Sequence, residues 1–231
     1  MDDLVRRWTA QLLDSGNALS LVVALVALAL VWQQSAWRLL RNVVTIAHEG
    51  GHAVIALLSG RQLTGIRLHS DTSGLTESRG RAHGPGMVLT LFAGYPTVSL
   101  LGLGGAALVS NDLARVMLWV SIGLLLLMLV ALRNAYGVLS VVVTGAVLLG
   151  VSWKAPAEAR TALAYLITWF LLLAGARPVV ELQRLRRQGR APYSDADQLA
   201  RVTGMPGLLW VGLFGLVALG ALVEGTRWLL W

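Results

Sequence analysis

The stretch Asn42-Val-Val-Thr-Ile-Ala-His48-Glu49-Gly50-Gly51-His52-Ala-Val-Ile-Ala-Leu-Leu-Ser59 decides how the rest of the chain is read. It is apolar enough to lie in a bilayer, yet three ionisable side chains stand in its middle. Each costs ~2.5 kcal/mol or more to insert, so such groups persist where chemistry uses them. Histidines four apart project from one helix face about one turn apart, which lets two neutral imidazoles share one Zn²⁺. Glu49 follows the first histidine and can lean over the metal to take a proton from its bound water, whose pKa zinc brings toward ~7. A single membrane histidine is explained by a hydrogen bond to a neighbouring helix. Two histidines at this spacing with a glutamate beside the first are not.

Outward from this segment, the chain has the composition of a polytopic membrane protein: 231 residues, 56% hydrophobic and only 13% charged. A span needs ~20 mainly apolar residues. Seven stretches are expected to qualify, at about 18–32, 42–59, 87–110, 113–132, 135–153, 161–176 and 207–223. The opening residues 1–17 are polar and amphipathic, with no small-residue cleavage site after the first apolar run, so no removable signal peptide is expected. Residues 18–231 then read as one membrane-embedded domain, with long loops at 60–86 and 177–205. Trp32, Trp37, Trp153, Trp210 and Trp228 lie near predicted span ends, where amphipathic rings prefer the interface.

The formal charge of +7 would suggest nucleic-acid binding in a soluble protein. Here the basic residues flank spans, and topology accounts for them. With seven spans, the side holding the N-terminus and the loops after the second, fourth and sixth spans carries 13 of the 19 Lys+Arg. That excess predicts a cytoplasmic N-terminus. The run Arg184 to Arg190 then reads as a cytoplasmic surface that meets anionic membrane lipid headgroups. Cysteine is absent, so neither disulfides nor thiolate ligands contribute.

Between 60 and 86, Thr64-Gly-Ile-Arg-Leu-His69 and Gly74-Leu-Thr-Glu-Ser78 alternate and are joined by Ser70-Asp-Thr-Ser, which predicts a β-hairpin. His69 and His83 read as exposed loop residues. Gly50 and Gly51 disfavour a helix by ~1 kcal/mol each; they serve either helix packing or close approach of a substrate backbone. Asn134, between two apolar spans, is explained by capping, with stabilisation of an oxyanion as the alternative.

HEGGH in an early span, then a Gly- and Arg-rich loop and a span bearing Ala93-Gly94-Tyr95-Pro96, resembles the site-2 protease family of intramembrane zinc metalloproteases, and its compact bacterial branch in particular. The resemblance runs from about Asn42 to Thr203. It implies a hydrolase that cuts a membrane-spanning protein substrate, a location in the bacterial inner membrane, a substrate-side role for Gly94 and Pro96, and a hairpin edge that receives the unwound substrate. Other members draw a third metal ligand from an Asn-Pro...Asp-Gly type motif in a late span, which this chain lacks.

What stands here instead is Ser194-Asp195-Ala196-Asp197. If Ser194 caps a helix, Asp197 falls at the third helical position and can reach back in a capping box. Asp195, two residues away, faces elsewhere. Asp195 is therefore the preferred third ligand, with Asp197, or neither, still open. The expected protein is an all-α membrane bundle of about seven spans with one small hairpin. His48, His52 and Asp195 hold zinc, and Glu49 is the general base. A non-proteolytic metal sensor, scaffold or zinc carrier is the alternative, although a carrier needs polar groups along several spans and the later ones have few.

Overall fold

A computed structural model describes residues 15–231. The amphipathic segment expected at residues 1–17 lies almost wholly outside them. The elements are α1 (Ser15–Trp32), α2 (Gln34–Leu58), β1 (Gln62–Leu68), β2 (Gly74–Arg79), α3 (Pro85–Val109), α4 (Ala114–Ala131), α5 (Ala135–Lys154), α6 (Ala157–Ala174), α7 (Ala176–Arg187), α8 (Asp195–Thr203) and α9 (Gly207–Leu230).

The expected count of seven spans is not confirmed. Among the described residues, five helices are long and apolar enough to cross a membrane: α3, α4, α5, the continuous run of α6 and α7, and α9. The first two expected spans are the arms of one pair, α1 and α2, bent by 98° at a short break, which brings the total to six if the pair crosses once. The break has a local cause. Gln33 leaves the helical conformation, and its side-chain oxygen accepts from Ala36 N at 2.6 Å, so one helix ends and the next is capped. Arg38, Arg41, His48, Glu49 and His52 make α2 strongly amphipathic, unlike the uniformly apolar α4 and α5.

Helix α3 is the centre of the bundle and packs on α2, α6 and α9. Small residues allow this close approach. A Cβ on Gly51 would lie 2.3 Å from Thr97 Oγ1, and one on Gly102 would lie 2.7 Å from the Leu172 backbone nitrogen. Gly50 meets nothing within 4 Å, so only the second glycine of HEGGH is spent on helix packing. Pro96 sits inside α3 without ending it.

Trp37 corrects a sequence expectation: it is 1% exposed, buried beneath Arg177, whose guanidinium lies 4.4 Å from its ring centroid. Trp210 is likewise buried, whereas Trp32 and Trp153 are exposed at helix ends. Arg177 also donates to the Val31 carbonyl at the end of α1 and to Glu181, and Glu181 accepts from Trp37 Nε1. This cluster ties α7 to the bend between α1 and α2.

The hairpin forms as an antiparallel pair with a register shift between Leu63 and Gly65. Its turn places Thr72 at φ 67°, and Asp71 Oδ1 accepts from Ser73 N and Oγ. Those two bonds hold the Asp71 carboxyl below the ordinary carboxylate range. The outer edge of β1 is occupied by the α4–α5 connection. Arg133 N donates to Ile66 O, and the Asn134 amide both accepts from Leu68 N and donates to Leu68 O. Asn134 therefore acts as a one-residue strand partner; its side chain makes no cap bond to α5.

Candidate active site

Helix α2 presents His48 and His52 on one face, and α8 brings Asp195 to them from the other end of the sequence. His48 Nε2 and His52 Nε2 are 3.1 Å apart, and Asp195 Oδ2 lies 3.2 Å and 3.4 Å from them. These ligand atoms form the group of His, Cys, Asp or Glu side chains able to hold a metal ion among the described residues.

The donor set fits zinc on two counts. A tetrahedral ion with bonds of ~2.0–2.1 Å spaces its ligand atoms ~3.3–3.4 Å apart, close to the triangle observed. The tautomer of His52 is also set. Its Nδ1 donates to the Thr90 carbonyl at 2.6 Å, which leaves the Nε2 lone pair directed at the other two donors.

Room for the two imidazoles comes from Gly94 on α3. A Cβ there would lie 2.5 Å from His52 Nε2 and 2.6 Å from His48 Nε2. Tyr95 follows it and packs edge-on against His48 with centroids 4.7 Å apart, while its other face stacks on Phe214 of α9 at the same distance. Tyr95 thus stands between the His48 ring of α2 and Phe214 of α9 and backs His48 with packed aromatic rings.

Glu49 is buried beside the triad and engages the hairpin. Thr76 Oγ1 donates to its carboxylate Oε2 at 2.7 Å and approaches its backbone carbonyl at 3.1 Å. Gly74 lets β2 come this close, since a Cβ there would lie 2.5 Å from Glu49 Oε1. A cleft of about 640 Å³ opens at this point, walled by His48, Glu49, His52 and Asp195 on one side and by β2 on the other.

The four residues singled out from sequence are therefore neighbours. Asp197 is elsewhere: its carboxylate takes Arg186 Nε and Nη2 and the Ser194 hydroxyl at 2.5 Å, and Ser194 Oγ in turn accepts from Asp197 N. The Arg186 and Ser194 bonds hold its carboxyl below the usual range. His69 lies on the hairpin turn, bonded to Ser73, and His83 is exposed in the loop before α3. Sequence reasoning missed Thr76 and the Thr90 carbonyl. Thr76 lay within the predicted second strand, but which way the strand faced could not be read; a backbone carbonyl leaves no mark in sequence at all.

Together the fold and site define a helical integral membrane protein with a His/His/Asp donor set and a glutamate at one cleft. A family model described as Peptidase M50B-like matches residues 21–225, and the chain belongs to that peptidase family, the site-2 protease family. No curated protein and no solved structure matches the chain.

Proposed function

We propose that this protein is an intramembrane zinc endopeptidase, a single membrane-embedded domain over residues 18–231 that hydrolyses a peptide bond of a membrane-spanning protein. His48 Nε2, His52 Nε2 and an Asp195 carboxylate oxygen would hold the metal. Zinc, when bound, supplies Lewis acidity and brings the pKa of water toward ~7. Glu49 takes the proton at its carboxylate and passes it to the leaving amine, as a general base that becomes a general acid. Thr76 keeps that carboxylate turned toward the cleft by donating to Oε2. The observation that carries this reading is the convergence of three donor atoms beside a glutamate that is not one of them.

Substrate binding follows from the edge of β2. His69 N bonds to Ser73 O, and antiparallel alternation then turns Leu75 and Glu77 toward β1. Gly74, Thr76 and Ser78 consequently point their backbone groups outward, along the wall of the cleft. A helical peptide bond is shielded by its own hydrogen bonds, so the substrate unwinds and adds to β2 as a strand. With the hairpin side facing the cytoplasm of an inner membrane, the cleft opens to cytoplasmic water.

The test is metal content together with cleavage of a model transmembrane substrate. Wild type is expected to carry about one zinc per chain and to cut. Glu49→Gln is expected to keep zinc and lose ~100-fold or more in rate, because a base is not a ligand. Cleavage that survives Glu49→Gln refutes the assignment. Zinc bound by a protein that cuts nothing favours the sensor or carrier alternative.

A further inference from the structure

A second concave feature lies away from the cleft. Between α7 and α9 runs a groove of about 550 Å³ lined by Val179, Val180 and Val211, with Arg184 and Arg187 at one end. Val180 is 61% exposed. Neither Arg184 nor Arg187 has a hydrogen bond or ion pair from its guanidinium among the described residues, and both are exposed. Arg186 between them is fully engaged, gripping Asp197 of α8.

Helix length sets the depth of this groove. The continuous run Ala157–Arg187 has 31 residues, ~46 Å at 1.5 Å per residue. The hydrocarbon core is ~30 Å thick. With the ~16 Å of excess shared between its two ends, the core runs from about residue 162 to about residue 182, so Val180 meets acyl chains just inside the boundary and the basic end reaches the headgroup layer. Two unpaired guanidiniums at headgroup level above an apolar channel match one molecule: a phosphate with a hydrocarbon tail.

We propose that this groove is a binding site for one anionic phospholipid, its phosphate on Arg184 and Arg187 and an acyl chain along Val180 and Val211. The site does not depend on the peptidase chemistry. It does adjoin it, because α7 holds α8 through Arg186 and Asp197, and α8 carries Asp195.

Native mass spectrometry of the full-length protein in detergent tests this, with phosphatidylglycerol and phosphatidylcholine of identical acyl chains offered as competitors. Wild type is expected to retain one phosphatidylglycerol in preference. Each arginine near an anionic headgroup contributes about fivefold, so Arg184→Gln with Arg187→Gln is expected to weaken retention ~30-fold. Val180→Trp fills the exposed groove while leaving both charges in place, and is expected to displace the lipid as well. Equal retention by the double variant, or by Val180→Trp, overturns the proposal. Inorganic phosphate that displaces the lipid at low millimolar concentration overturns it too, since the pair would then be a simple anion site.

Discussion

Glycine 94 shows how much of a candidate metal site is made by what is left out. The two imidazole nitrogens occupy the space where any side chain at that position would stand, and contacts below 3.0 Å cannot be absorbed without movement. Gly94→Ala is expected to yield a folded, membrane-inserted protein whose zinc content falls severely, checked by metal analysis beside circular dichroism. Tyr95 acts on the same ring from the other side. Tyr95→Phe keeps the packing against His48 and Phe214 and should retain zinc, whereas Tyr95→Ala should lose part of it. The two acids separate in the same way. Asp195→Asn is expected to release zinc. Asp197→Asn should leave zinc in place and cost ~1–3 kcal/mol in stability, because the change strands a part-buried Arg186. Loss of zinc from Asp197→Asn alone would transfer the ligand role.

At the scale of elements, the hairpin matters most because its two edges are unlike. β1 is closed by Arg133 and Asn134, so the edge open to pairing is that of β2, where Arg61 caps the Ser78 carbonyl. Thr76→Val removes the hydroxyl that holds Glu49 and keeps the strand; a hydrogen bond to a charged group is worth ~1.5–3 kcal/mol, so the turnover rate is expected to fall ~10-fold or more with zinc unchanged. Ser78→Pro removes an outward N–H that a substrate strand would use. It is expected to raise KM for the substrate well beyond Ser78→Ala, which loses only the bond to Arg61. Equal KM values for the proline and alanine variants would rule out strand addition at that position.

For the whole molecule, the bend between α1 and α2 changes what topology implies. Seven crossings put the N-terminus on the hairpin side; a single crossing by the bent pair puts it on the opposite side. The hairpin, the Arg133 connection and the α7–α8 segment stay together in either case, since they meet at one end of the bundle. His52 lies eight positions before Gly60, ~12 Å along the helix, so water reaches the site from that end. Single cysteines at Gly60, Ser73 and Ala191 are expected to react with an impermeant thiol reagent only in inverted vesicles. The native chain has no cysteine to confuse the result. A fourth cysteine at Ser15 then distinguishes six crossings from seven. Labelling of Gly60 and Ser73 from outside intact cells would overturn the cytoplasmic opening.

Much of this was legible in the residues themselves because it is local. Helical spacing alone puts His48 and His52 on one face; alternation and turn residues mark the hairpin; Ser194 before two acids marks the start of α8. The tertiary structure decided what depends on partners far along the chain. It bent two apolar stretches into one pair, because Gln33 caps a new helix and Arg177, 146 positions beyond Val31, caps the old one. It chose the free edge of the hairpin by closing the other with Asn134, a residue whose sequence signal was capping. It brought Asp195 across from α8 and turned His52 with a carbonyl of α3, contacts between residues whose separation in sequence carries no trace of their distance in space.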